Sequence, residues 1–187
     1  MQVLMLDSHL LALDKPAGLL TQPSGSSEDS LEAQAKAWLK QEFNRPGNVF
    51  LEAVHRIDRL VCGIVLFARS SKGLSRLNAA VRDGLVRKVY RARVGGNVKQ
   101  PSGRLENYLI HDEYRARVVS AGMPGARLAR LSYKVLETSA NASLLEIILE
   151  TGRYHQIRVQ LAHLGHPILG DDKYGSKLPW KKDAIAL

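Results

Sequence analysis

Cysteine is almost absent from this sequence: of 187 residues only Cys62 carries a thiol, so no internal disulfide can form. No Cys/His spacing of the zinc-binding kind occurs either, and a reducing compartment is the expectation. The start, MQVLMLDSHLLALDKPAG, lacks a basic stretch ahead of its apolar residues, and Asp7, His9 and Asp14 interrupt them. That pattern argues against a signal peptide or a membrane span, and a cytoplasmic protein is expected. Internal repeats, linkers and low-complexity tracts are also missing, and the length fits a single domain over residues 1–187. Acidic residues run short, 18 against 27 Lys plus Arg, which gives a net charge of +9. The excess points to a polyanionic partner, most economically nucleic acid, against the plainer alternative of solubility charge. Hydrophobic residues at 45% and charged residues at 24% are ordinary for a globular chain.

What is present reads as an α+β succession. Two short strands are expected at Val3 to Leu6 and Leu10 to Leu13, ended by a turn at Lys15-Pro16-Ala17-Gly18. Ser30 is placed to cap a helix whose Leu31, Ala35, Trp38 and Leu39 recur at helical spacing, with a stop near Asn44-Arg45-Pro46-Gly47. Trp38 falls on that apolar stripe and is expected in the core. Gly63 opens a buried strand through Ala68, and Ser70 or Ser71 caps a helix with Leu74, Leu77 and Val81 on one face. From Arg87 the period changes to two: Tyr90, Ala92 and Val94 share one face, and Arg87, Val89, Arg91 and Arg93 the other. Further strands are expected at Leu105 to Ile110, Arg115 to Ser120, Arg127 to Leu136 and Leu144 to Glu150. A helix is expected over Arg153 to Leu164, stopped by Gly165 and Pro167. Runs of strands between helices indicate a mostly antiparallel α+β domain.

Two clusters could carry chemistry. In His55-Arg56-Ile57-Asp58-Arg59 a carboxylate lies between guanidinium groups at the entrance to a strand, where neighbouring cations favour its ionised, nucleophilic form. A surface ion-pair cluster is the competing explanation. Thr151-Gly152-Arg153-Tyr154-His155-Gln156-Ile157-Arg158 joins a strand to a helix, where Arg158 could reach back to a phosphate or a carboxylate. It equally fits a charged, solvated helix start. Neither a phosphate-binding loop nor the paired histidines of a zinc protease helix is present. Tyr90 can face the core side of its strand with its hydroxyl at a polar site, although a lone strand tyrosine is commonly packing. Cys62 is expected to be a small buried residue. His163 and His166 are expected to close a helix and turn.

Together these segments resemble the RluA family of pseudouridine synthases, from Leu10 to Leu187. The resemblance is carried by Asp14-Lys15-Pro16-Ala17-Gly18, His55-Arg56-Ile57-Asp58-Arg59 with Gly63, Lys88-Val89-Tyr90 with Ala92 and Val94, and Thr151 to Arg158. Leu161 to Ile168, Gly170-Asp171 and Tyr174-Gly175 extend it. It implies an α+β catalytic fold with a mixed, mostly antiparallel sheet, flanking helices and a central cleft, working without cofactor or metal. It implies that Asp58 attacks C1′ of a target uridine or otherwise assists glycosidic cleavage. Tyr90 would pack on the base and could serve as general base, and Arg158 would pair with Asp58. Arg56 would help flip the nucleotide, with His55, Arg59, Lys88, Arg153, His155 and Gln156 also at the substrate. The freed uracil would rotate and rejoin through C5. Extrusion of a base costs a few kcal/mol, and a long cation such as Arg56 can fill the gap it leaves. The basic strand with Arg87, Arg91 and Arg93 could hold phosphates.

The departures are specific. Val61 and Cys62 precede Gly63 where the family often has small hydroxyl residues, which bears on loop geometry. No S4-like RNA-binding module precedes the matching part, so target choice is expected to rest on the catalytic domain or on another protein. The chain stops at Asp183-Ala184-Ile185-Ala186-Leu187, where relatives usually continue, an ending expected to weaken stability or RNA grip. The expected partner is ribosomal or transfer RNA, with a monomer as the default. A binding-only protein of the same fold is the first alternative. An RNA-binding module of another fold follows, without an aromatic ribonucleoprotein signature, KH-type loop or zinc knuckle to support it. A metal-dependent hydrolase using His55, Asp58, His155 and His163 comes third.

Overall fold

Short, largely apolar strands before Arg87 give one sheet, and the chain from Arg87 onward gives a second. The computed structural model describes residues 1–25, 29–44 and 46–187. These divide into two units, Met1–Val86 and Arg87–Leu187.

In the first unit β1 (Gln2–Leu6), β2 (Leu10–Lys15), β3 (Glu52–Ala53) and β4 (Gly63–Ala68) form an antiparallel sheet in the order β1-β2-β4-β3. Asp7 closes the first hairpin by accepting from the backbone N–H groups of His9 and Leu10, both at 2.7 Å. Helix α1 (Leu31–Glu42) begins at Ser30, whose hydroxyl accepts from Ala33 N–H. Its stripe of Leu31, Ala35 and Leu39 is buried with Leu11, Leu13, Leu51, Val65 and Phe67, and Trp38 packs against this core as expected. The helix ends at Phe43, followed by Asn44 in the left-handed region (φ 46°), within the stop anticipated from sequence; Arg45 lies outside the described residues. Helix α2 (Ser71–Arg82) starts in the same way, with the Ser70 hydroxyl accepting from Gly73 N–H.

The second unit holds β5 (Lys88–Gly95), β6 (Ser102–His111), β7 (Ala116–Val119), β8 (Arg127–Thr138) and β9 (Ala142–Leu149), antiparallel in the order β5-β9-β8-β6-β7. One face is buried through Ala92, Val94, Leu131, Tyr133, Leu145 and Ile147. Helix α3 (Gln156–His163) joins Leu109, Ala116 and Ala129 through Val159, and Tyr174 of a short 3₁₀ turn (Asp172–Tyr174) completes that cluster. The α+β class expected from the sequence is the class observed, and the two faces of β5 alternate as anticipated.

Two local expectations are corrected. Helix α3 begins at Gln156 rather than Arg153, because His155 adopts a left-handed conformation (φ 50°) that cannot continue a helix backward. Arg158 therefore sits in the first turn of the helix. Cys62 is exposed, not buried: Val61 takes the inward position ahead of β4 and Cys62 points away from it. The two-residue β3 and the 3₁₀ turn are too short to leave a periodic signature in sequence.

Candidate active site

The loop bearing Asp58 is held from below by the turn after β2. Lys15, the last residue of β2, is completely buried, and its ammonium donates to the carbonyls of Pro16 (2.9 Å), Leu19 (2.7 Å) and Arg59 (3.2 Å). The Arg59 carbonyl also accepts from Gly18 N–H at 2.7 Å. Thr21 grips the same loop on the other side of Asp58, its hydroxyl donating to the Ile57 carbonyl (3.0 Å) and accepting from Ile57 N–H (3.3 Å). Asp58 is thus flanked on both sides by anchored backbone, and its own carbonyl accepts from Val61 N–H at 3.1 Å. The Asp58 side chain is half-buried between the exposed Arg56 and Arg59. Gly63, at φ 139°, turns the chain from this loop into β4 through a conformation open to glycine.

His55 extends the strand edge: Leu66 N–H donates to its Nε2 at 3.3 Å, while Val54 N–H donates to the Leu66 carbonyl at 2.9 Å. Burial pushes the Lys15 ammonium down to about 8; Cys62 and Asp58 raise it and Arg59 lowers it further. Two motif segments far apart in sequence, Asp14 to Gly18 and His55 to Gly63, are in this way one structural assembly.

In the second unit, Tyr90 lies on β5 opposite Ile147, on the same side as the buried Ala92 and Val94. Lys88, two residues earlier, is half-buried, and burial lowers its ammonium's pKa. The join from β9 to α3 is built by Gln156, whose amide oxygen accepts from the Thr151 hydroxyl (2.8 Å) and Arg153 N–H (3.0 Å). Its amide nitrogen donates to the Arg130 carbonyl at 3.0 Å. Arg153 is exposed and donates from Nε to the Leu128 carbonyl at 3.0 Å.

Arg158 is buried, and Nε and Nη2 each donate to a carboxylate oxygen of Asp171 at 2.7 Å. Its Nη1 lies 3.1 Å from His155 Nε2, and His155 Nδ1 lies 2.9 Å from the Tyr174 hydroxyl. With side chains 4% and 1% exposed, Arg158 and Asp171 form a pair whose rupture costs about 3–5 kcal/mol.

The expected site residues therefore fall into two groups. His55, Arg56, Asp58 and Arg59 share the anchored loop of the first unit. Lys88, Tyr90, Arg153, His155, Gln156 and Arg158 belong to the second unit, where His155 contacts Arg158 and Gln156 contacts Arg153. Sequence reasoning missed Lys15 as the clamp of the Asp58 loop, and Asp171 and Tyr174 as partners of Arg158 and His155. All three stood inside recognisable segments, but nothing in sequence says which carbonyl a lysine will meet or which carboxylate an arginine will find. Among the described residues, no group of three or more His, Cys, Asp and Glu side chains is arranged to hold a metal ion. Among the same residues, no helix is long and apolar enough to cross a membrane.

Residues 9–163 match the family model described as RNA pseudouridylate synthase. The chain belongs to the RNA pseudouridylate synthase family, and its RluA-type character, expected from the motifs, agrees with the relatives it matches. An uncharacterised RNA pseudouridine synthase of Chloroflexus aurantiacus is 35% identical over 164 residues, covering 88% of this chain and 51% of that protein. Ribosomal large subunit pseudouridine synthase C of Vibrio parahaemolyticus is 36% identical over 172 residues, covering 91% and 52%. This chain spans about half the length of the curated relatives it matches. Among solved structures, human RNA pseudouridylate synthase domain containing 4 shares the fold, with a TM-score of 0.79 at 24% identity over 97% of this chain and 70% of that one.

Proposed function

We propose that this chain acts as an RNA pseudouridine synthase, isomerising specific uridines with Asp58 as the nucleophilic carboxylate. The observation that carries this reading is the Asp58 loop, whose backbone is held on both sides of the carboxylate by Lys15, Gly18 and Thr21. An enzyme gains rate from such prior fixing, because the reacting group does not have to be ordered during the reaction. Asp58 attacks C1′, forming an ester as the C1′–N1 bond breaks and the uracil leaves with the electron pair. The base rotates, C5 attacks C1′, and the ester carboxylate is released. The C5 proton is then lost to a base, for which Tyr90 is positioned by the family motif, and N1 gains a proton. Substrate and product are isomers, so the balance calls for no cofactor and no metal.

Arg158 is assigned to the reaction by its place in the family motif, and Arg56, exposed beside Asp58, takes the place of the extruded base. His55, Arg59, Lys88, Arg153, His155 and Gln156 are assigned to the RNA-facing side of the same machinery, directly or through the loops they build. Residues 1–187 are assigned to a single catalytic domain. Relatives named as ribosomal large subunit pseudouridine synthases favour ribosomal RNA over transfer RNA as substrate, and a cytoplasmic site of action accords with it.

The test is Asp58→Asn. Incubated with unmodified ribosomal and transfer RNA transcripts, the variant is expected to lose pseudouridine formation below detection while its RNA Kd changes by less than about threefold, since little surface charge is removed. Near-normal turnover by the Asn variant would remove Asp58 as nucleophile. Binding without turnover by the unaltered chain would leave a binding-only protein.

A further inference from the structure

The second unit contains a buried polar chain leading to Arg158, and none of the proposed chemical steps uses its members Asp171 and Tyr174. It starts at Ala116 of β7, whose N–H donates to the Tyr174 hydroxyl at 2.9 Å. The same hydroxyl lies 2.9 Å from His155 Nδ1. At the other end of that imidazole, Nε2 lies 3.1 Å from Arg158 Nη1. A guanidinium has donors and no acceptor, so His155 Nε2 must accept, and the proton of the neutral ring must sit on Nδ1 and point at Tyr174. Asp171 completes the arrangement by taking Nε and Nη2 of Arg158, each at 2.7 Å. Three of the five N–H donors of a guanidinium are thereby directed by two neighbours. The Arg158 guanidinium also lies 5.0 Å from the centre of the Tyr174 ring, which limits its tilt.

This arrangement has a feature that stability alone does not demand. An Arg–carboxylate pair buried on both sides is no better for stability than an apolar pair of the same volume. The chain adds a histidine whose two ring nitrogens are both engaged and a tyrosine that meets one of them, and His155 stands in a left-handed conformation. What these additions accomplish is to define the plane and roll of one guanidinium.

We propose that Asp171, together with the Tyr174–His155 pair, is a positioning device for Arg158, setting the orientation of its remaining N–H groups for the isomerisation. This rests on the assignment of Arg158 to the reaction made above. In this proposal Asp171 and Tyr174 are positioning residues that act through Arg158.

The experiment uses the 187-residue chain and the variants Asp171→Asn, Tyr174→Phe, Arg158→Lys and the double variant Asp171→Asn/Arg158→Lys. The probe is an unmodified large-subunit ribosomal RNA transcript. Single-turnover isomerisation at saturating RNA, RNA Kd and thermal midpoint are measured for each. Asp171→Asn is expected to slow the single-turnover step about 100-fold, the scale of a misplaced catalytic group, with Kd within about threefold of the parent. The double variant is expected to be no slower than Arg158→Lys alone, because Asp171 has nothing left to position. Independent, multiplying losses in the double variant would overturn the proposal, as would a rise in Kd matching the fall in rate.

Tyr174→Phe covers the case in which Asp171→Asn fails to fold, since it removes one oxygen and leaves the ion pair. It is expected to slow the reaction by about tenfold and to shift the His155 ring nitrogens, read by ¹⁵N NMR, away from the single Nδ1–H tautomer. Wild-type rate and an unaltered tautomer in that variant would equally sink the idea. A parent chain inactive on every transcript would count against the proposed function, and Arg158 Nε–H exchange then tests the positioning claim by itself. Slow exchange in the parent, about tenfold faster in Tyr174→Phe, supports it, and equal exchange rejects it.

Discussion

Lys15 shows how much a single side chain can determine. Its ammonium is withdrawn from water and satisfied by three carbonyls, one of them the carbonyl of Arg59 directly after Asp58. Burial depresses its pKa from 10.5 to about 8, so between those values the unfolded chain binds more protons than the folded one. Stability from this group therefore rises as pH increases from about 8 to 10.5, by at most roughly 3 kcal/mol. Urea denaturation of the parent and of Lys15→Met across that range should show the parent gaining relative to the variant; a gap that stays constant with pH would contradict the assignment. Gly170 is a second residue-scale test. At φ 79° it is in the glycine-favouring region, and a Cβ there would stand 2.6 Å from Trp180 Cβ and 3.0 Å from the Ala184 carbonyl oxygen. Gly170→Ala is expected to cost about 3 kcal/mol in chemical denaturation through strain and overlap together.

At the scale of elements, the two longer helices of the first unit begin alike, with a serine hydroxyl accepting from the third residue beyond it. Ser30→Ala is expected to cost about 1 kcal/mol, measured by the same denaturation, because one N–H of the first turn loses its acceptor. The caps were legible because Ser30 and Ser70 stand directly ahead of helical periodicity. The start of α3 was not, since the periodicity of Ile157, Leu161 and Leu164 runs back smoothly toward Arg153. Only the hydrogen bonds of Gln156 to Thr151 and Arg153, and the left-handed His155, break it. Strand β5 behaves similarly. Its basic face was expected to hold phosphates, yet Arg91 stands opposite Glu146 on β9 and Arg93 lies 4.0 Å from Glu137 on β8. The pairing of strands brings acidic residues alongside that alternation within β5 could not reveal.

Over the whole molecule the dominant quantity is the charge of +9, which should make RNA binding strongly dependent on salt. Removing one cation that holds a phosphate flattens the dependence of log K on log salt by roughly one unit, or somewhat less for single-stranded RNA. Arg87→Ala is expected to flatten it measurably, and Arg93→Ala to do so by less than half as much, because Glu137 already offsets part of its charge. Filter binding between low and moderate salt distinguishes the two; equal effects would show that the Arg93–Glu137 pair does not persist on RNA.

The order of the longer elements, the α+β class, the serine caps of α1 and α2, the inward faces of α1 and β5 and the family were determined by sequence, because each depends on short-range spacing or on motifs in a fixed order. The tertiary structure alone decided which distant groups meet: Lys15 with the Arg59 carbonyl, Thr21 with Ile57, Arg158 with Asp171, and His155 with Tyr174. The reason is physical. Periodicity reports which face of an element avoids water, whereas a buried polar group takes whichever partner the finished packing brings within hydrogen-bonding distance.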